Sequence, residues 1–349
     1  MRMRLEFRIP TRVTTLLLLL TLAASSLFAQ QRLTFAVAGD VGERGKPQLA
    51  ISNQMNLYRR NGRPFQLVLL LGDNIYDDGI GKGFLEEFEK PFKALIDAGV
   101  RFQAVLGNHD IRKGAEAQIN YPKFNMGGRR FYSFTSGDGL VEFFALDSSA
   151  LSDEASDLVA ANLNRLKTQK SRAVRSSLFK AGLLDSAIAN SEAFLTEMRK
   201  AKAEQIPWLQ ETLRASKARW KIVFLHHAIY SSAYKNLGHG RDGSVLKLRQ
   251  LLTPIFFENN VDVVFAGHDH VVQKIKPQPA PNSSHKIYYI TEGASAKLRK
   301  GDIDTTDPLH EWGEDMKYTF LLADLTPAEL KIDVIDSTGK LLKSFVITK

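Results

Sequence analysis

Short runs of almost unbroken apolar residues are what any fold of this chain has to accommodate. Leu33 to Ala38 (LTFAVA), Leu67 to Leu71 (LVLLL), Phe102 to Leu106, Val141 to Leu146, Lys221 to Leu225 and Val261 to Ala266 contain hardly a polar side chain. Successive side chains of a strand point to opposite faces, so a strand stays apolar throughout only when both faces are covered. Between these runs lie segments of helical period, Pro47 to Arg60, Phe84 to Ala98, Pro207 to Ala215 and Ser244 to Glu258. Two of them open with Pro, which a first helical turn tolerates. The early alternation predicts parallel βαβ units. Ile287 to Thr291, Tyr318 to Leu325 and Leu330 to Ile335 read as consecutive strands joined by turns. The expected architecture is α/β, with two mixed sheets packed face to face and helices outside.

One segment breaks the rhythm. From Ser152 to about Gln205 the composition is helical and no strand signal occurs, which reads as an inserted helical pair or lid divided near Gly182. Its cations Lys167, Lys170, Arg172 and Arg175 fit a solvated helix face. Lys276 to Ser284 (KPQPAPNSS) is a Pro-rich loop and is excluded from a central strand. It carries a glycosylation-type triplet at Asn282.

The strand ends are unusual. LTFAVA runs into Gly39-Asp40-Val41-Gly42, LVLLL into Gly72-Asp73-Asn74-Ile75-Tyr76, and the third run into Gly107-Asn108-His109-Asp110. The fifth ends in His226-His227 and the sixth in Gly267-His268-Asp269-His270. Singly, each reads as an ordinary polar turn, because Gly, Asn and Asp are turn residues. Together they are harder to dismiss. In open α/β sheets ligands sit beyond the carboxyl ends of strands, so these side chains can converge. His268 and His270, two apart on an extended segment, share one side. His226 and His227, adjacent at the end of a strand, are expected to point oppositely.

This ordered set resembles the calcineurin-like metallophosphoesterases, and Tyr76, three residues after Asp73, narrows the resemblance to the purple acid phosphatases. It covers roughly Leu33 to Ser295 apart from the insertion. Much of the wider superfamily has a His two residues after the first Asp; here that residue is Gly42, and Tyr76 supplies the replacement ligand. The resemblance implies a four-layer α/β/β/α sandwich of the small single-domain type. It implies that Asp40, Tyr76 and His270 hold a ferric ion, that Asn108, His226 and His268 hold a divalent iron, zinc or manganese, and that Asp73 bridges both. Phenolate and carboxylate suit Fe(III), while imidazole and amide suit a softer divalent ion. It further implies acid phosphatase activity on small phosphate monoesters, with hydroxide on the metals as nucleophile. His109 would bind the phosphate and help protonate the leaving group. His239 would be a second imidazole of the pocket, though its distance from His226 is longer than the family pattern. Asp110 is expected to bond a His or the turn backbone, and His227 to pack or to orient its neighbour.

The N-terminus reads as a secretory signal. Arg2, Arg4, Arg8 and Arg12 precede and flank an apolar segment from Val13 to Ala24, then small residues lead to a cleavage point after Ala29. The segment is short for a membrane span, an uncleaved anchor being the alternative. Residues 30–349 then form the catalytic domain. The chain has a formal charge of +9 and no Cys, so neither disulfides nor a lipid-bearing Cys contribute. No basic stripe with interleaved aromatics occurs, so no nucleic-acid partner is expected. Two other functions fit the same motifs: a phosphodiesterase acting on nucleotides or phospholipid head groups, and a metal-bound surface protein without catalysis.

Overall fold

The structure, a computed structural model, describes residues 31–76, 83–112, 115–152, 159, 183–234, 243–281 and 283–349. The proposed signal segment, His239, Asn282 and most of the inserted segment lie outside the described residues.

Two sheets carry the chain. The first has the order β14-β13-β12-β1-β2-β3, where β1 is Leu33–Ala38, β2 Leu67–Leu70, β3 Arg101–Ala104, β12 Thr319–Leu325, β13 Glu329–Asp336 and β14 Leu341–Thr348. The second has the order β11-β8-β10-β7-β6-β5-β4, from β4 (Tyr132–Ser136), β5 (Val141–Ala145), β6 (Trp220–Leu225), β7 (Val263–Ala266), β8 (Val272–Ile275), β10 (Lys286–Glu292) and β11 (His310–Glu314). A two-residue strand β9, Gln278–Pro279, pairs with β10 at the sheet margin, in keeping with its Pro-rich sequence. Strands β1, β2 and β3 run parallel, as do β5, β6, β7 and β10. The remaining strands are antiparallel additions at the edges.

The burial explains the apolar runs. In β6, Trp220, Ile222 and Phe224 face the other sheet, while Val223 and Leu225 face the helices. β7 divides the same way, with Val263 and Phe265 inward and Val264 and Ala266 outward. Between the sheets Phe35 of β1 meets Phe143 of β5 and Phe265 of β7 edge to face, at 5.3 and 6.3 Å between ring centroids. Phe35→Ala at such a site costs about 3–5 kcal/mol. Helix α1 (Lys46–Arg60) buries Ile51 and Met55 against the first sheet. On the second sheet lie α5 (Leu183–Ala215), through Leu209 and Leu213, and α6 (Gly243–Glu258), through Leu248, Leu252 and Phe256. Three short helices, α2 (Lys93–Asp97), α3 (Ala115–Ile119) and α4 (Ser148–Leu151), fill the connections. Helix, sheet, sheet and helix therefore stack as expected from the sequence.

Several boundaries differ from expectation. Pro207 does not open a helix but lies inside α5, which runs on from the inserted segment. An interior Pro removes one helical hydrogen bond, and the packing of Leu209 and Leu213 beyond it holds the helix on course. Phe84 to Ala98 is divided into a π-helical turn, Phe84–Glu89, and α2. β10 is not consecutive with β12 and β13, since it lies in the other sheet and β11 intervenes. Strands β4, β11 and β14 carry no apolar run because they are sheet edges, half exposed and rich in polar residues.

Candidate metal centre

The parallel strands of both sheets deliver their carboxyl ends to one place. β1, β2 and β3 supply Asp40, Asp73 and Asn108; β6 and β7 supply His226, His268 and His270. Backbone contacts lock the loops together. Asp40 donates its amide to Gly72 O (3.1 Å), Gly42 to Asp73 O (3.0 Å) and Gly267 to His226 O (2.9 Å). Each carboxylate in turn accepts an amide from another loop: Asp40 Oδ2 from His268 N at 2.8 Å, and Asp73 Oδ1 from His109 N at 2.9 Å. Asp40, Asp73 and His268 hold left-handed backbone angles, φ 54, 51 and 68°. Such angles are uncommon outside Gly and persist where the surroundings over-determine them. The Gly preceding Asn108 is also explained: a Cβ on Gly107 would lie 2.2 Å from Asp73 Oδ1.

The side chains fall into two groups. In one, Asp40 Oδ1 lies 3.2 Å from the Tyr76 hydroxyl, which donates to it, and 3.3 Å from His270 Nε2. In the other, His226 Nε2 lies 3.0 Å from Asn108 Oδ1 and 3.1 Å from His268 Nδ1. Asp73 Oδ1 is 3.5 Å from His226 Nε2, and Asp73 also stands close enough to Tyr76 to raise its pKa. All but Asn108 and His270 are buried.

The second group gives a test of metal fit. His226 Nδ1 lies 2.8 Å from Leu71 O, so that nitrogen carries the proton. In the neutral ring Nε2 is then a lone pair, and it faces the oxygens of Asn108 and Asp73. Convergent lone pairs with no proton between them repel, and a cation is what satisfies them. The donor set therefore fits metal.

Electrostatics agree. Burial and the carboxylates of Asp40 and Asp73 push the Tyr76 phenol well up. Burial also opposes ionisation of Asp73, yet positive charge on the His226 and His109 imidazoles outweighs it and holds the carboxyl below its usual range, a part that a bound cation would take where His226 is neutral. Asp110 bonds the turn backbone, as expected: it accepts from Gly107 N at 2.8 Å, Asn74 N at 3.1 Å and Ile75 N at 3.2 Å. Burial, then Asp73, raise its pKa to about 7.

His109 stands at the rim, its side chain 19% exposed, with Nε2 4.0 Å from Asp73 Oδ2. Its ring meets Tyr76 edge-on at 4.5 Å, and Arg112 Nη2 lies 3.3 Å from Nε2. His227 packs against its neighbours as expected, its ring 5.0 Å from that of His226, but it does not point to the opposite side. β6 has ended at Leu225, so strand alternation no longer applies, and the rings of His226 and His227 both approach His268, at 4.9 and 4.5 Å. Ser148 fixes His227, its Oγ 2.8 Å from Nδ1 and accepting His227 N at 3.0 Å. Ser148 went unnoticed in the sequence, although β5 too ends in polar residues, Asp147 and Ser148. Of the other His, His285 bonds Val261 O and His310 bonds Ser232, both away from the centre.

The chain is similar to known proteins to different degrees. The sequence model of the calcineurin-like phosphoesterase family matches residues 33–272. Purple acid phosphatase 17 of Arabidopsis thaliana is 31% identical over 327 residues, covering 90% of this chain and 84% of the relative. Tartrate-resistant acid phosphatase type 5 of Rattus norvegicus is 23% identical, covering 93% of each chain. Among solved structures, GAP50, the anchor in the inner membrane complex of Plasmodium, superposes with a TM-score of 0.64 at 20% identity over 91% of this chain and 89% of its own. The purple acid phosphatase from yellow lupin (Lupinus luteus) seeds gives 0.59 at 16% identity, over 91% and 54%. These two likenesses concern the fold alone.

Proposed function

Since the chain belongs to the calcineurin-like phosphoesterase family, and so is a metal-dependent phosphoesterase, we propose that it is an exported acid phosphatase that hydrolyses small phosphate monoesters at a dinuclear centre. The observation that carries this reading is the His226 Nε2 lone pair aimed at Asn108 Oδ1 and Asp73, beside the separate group of Asp40, Tyr76 and His270. Asp40, Tyr76 and His270 would hold Fe(III); Asn108, His226 and His268 a divalent iron, zinc or manganese; Asp73 would bridge. The purple acid phosphatase relatives support two metals, and the phenol among the donors supports iron as one.

Two metal ions held there would supply Lewis acidity toward the ester and toward the attacking water. The chain's own residues do the rest. His226 is held in one tautomer by Leu71 O, so its ligand lone pair is presented without rearrangement. The amides of His268 and His109 fix the rotation of Asp40 and Asp73. His109, at the rim and partly exposed, is placed to bind a phosphate oxygen and to give a proton to the departing alkoxide. His239, outside the described residues, would add a second imidazole. The apolar and small-residue order before Gln30 supports export; among the described residues no helix is long and apolar enough to cross a membrane.

The test is metal analysis and a visible spectrum on one preparation, with hydrolysis rates on a monoester and a diester side by side. Faster diester cleavage would replace monoesters as the substrate class, and full activity in metal-free protein would remove the dinuclear reading.

A further inference from the structure

Lys297 is absent from every motif in the sequence, yet its ammonium lies 3.9 Å from the centroid of the Tyr76 ring. The loop that carries it is pinned on both sides to the centre. Ser295 donates its amide to Gly39 O at 3.4 Å, and Arg299 donates to His270 O at 3.0 Å. Lys297 thus hangs from backbone tied to the residues flanking Asp40 and to His270 itself. Its other partner is Glu43, at 3.1 Å, in the loop that begins with Asp40. Lys297 and Glu43 are 32% and 45% exposed. A pair this exposed does little to order a side chain, so the tethered loop and the ring face account for the position.

We propose that Lys297 is a positioning residue for Tyr76, whose charge over the ring face sets the strength and the energy of the phenolate–metal bond. The inference rests on the reading of Tyr76 as a ligand to a ferric ion. The physical reason is simple. A ring face attracts a cation through its quadrupole, and a ligating phenolate spreads further negative charge over the same ring. The ammonium is therefore held more tightly by ligating Tyr76 than by a neutral phenol, and stabilises the ligating form. It also lowers the energy of the electrons that phenolate-to-iron charge transfer excites. Glu43, drawing on the same ammonium, opposes both effects.

The experiment uses the full iron-loaded protein and reads the visible band, with iron retention against a chelator as second measure. Lys297→Met removes the charge at similar length, Lys297→Arg keeps it, and Glu43→Gln frees the ammonium. Lys297→Met is expected to move the band to longer wavelength and to weaken retention roughly three- to thirtyfold. Lys297→Arg should stay near the wild type, and Glu43→Gln should move the band to shorter wavelength. A band that does not move in Lys297→Met at full iron content overturns the proposal. So does any loss in Lys297→Met that Lys297→Arg fails to restore. A wild-type protein holding iron without such a band removes Tyr76 from the ligands, and that failure belongs to the functional reading instead.

Discussion

The Nδ1 of His226 lies 2.8 Å from the carbonyl oxygen of Leu71, so the last residue of one sheet's apolar run chooses the tautomer of an imidazole from the other sheet. Replacing His226 by Ala should deplete metal mainly at the divalent position, and affinity there should fall at least 10–100-fold, the loss usual even for outer partners. Metal stoichiometry by elemental analysis decides it; equal loss from both positions would contradict the grouping.

The bridging role proposed for Asp73 separates it from Asn108. Asp73→Ala is expected to lower metal content at both positions, and Asn108→Ala chiefly at one. Equal partial loss in both variants would overturn that division of donors.

Tyr76 should give the protein its colour. Tyr76→Phe removes the hydroxyl that bonds Asp40 while leaving the ring that meets His109. It should bleach the visible band without unfolding the chain. Circular dichroism beside the visible spectrum tests this, and a band that survives would acquit Tyr76.

His109 touches the centre through its amide, while its imidazole lies at the rim against Tyr76 with Nε2 4.0 Å from Asp73. His109→Ala should therefore keep both metals and lose about 10²–10⁴-fold in kcat. The loss should be larger on alkyl phosphates, whose leaving oxygens are basic, than on nitrophenyl phosphate. Equal losses would leave phosphate binding as the main task.

Glu292, fully buried at the end of β10, has its pKa pushed up to about 8, first by burial, against the hydrogen bonds from Thr319, Ala294 N and Ser295. The folded protein therefore keeps a proton that the unfolded chain releases above about pH 4.3. Stability attributable to this group should fall as pH rises from that value to about 8, and level off beyond. Glu292→Gln should flatten the fall. Thermal midpoints at pH 5 and 8 measure it, and parallel profiles for the two proteins would refute it.

What the sequence disclosed follows from burial. Strands covered on both faces announced themselves as apolar runs, and each break in a run marked a strand end, so Asp40, Asp73, Asn108, His226, His268 and His270 were all legible. β4, β11 and β14 were not, because an edge strand with a solvated face has no such run. β8 was hidden for a different reason: it follows directly on the His pair, and its buried Gln273 and Lys274 read as loop residues. The direction of His227, though not its packing on His226, was misjudged because alternation holds only inside a strand, and β6 had already ended. Lys297 had no local signal at all. Its place over Tyr76 depends on the loop after β10 of the second sheet folding onto the loop after β1 of the first.

Asp40, Asp73 and Asn108 come from one sheet and His226, His268 and His270 from the other, above a shared seam where Phe35 meets Phe143 and Phe265. An ion gripped from both sides, as proposed, would be a rivet through that seam. Ligand binding to the folded form alone stabilises it by mass action, so metal here would tighten the docking of one sheet on the other. The traffic runs both ways. A change such as Phe143→Leu, which touches no ligand, should loosen the rivet, and a chelator should loosen the hydrophobic seam beneath it.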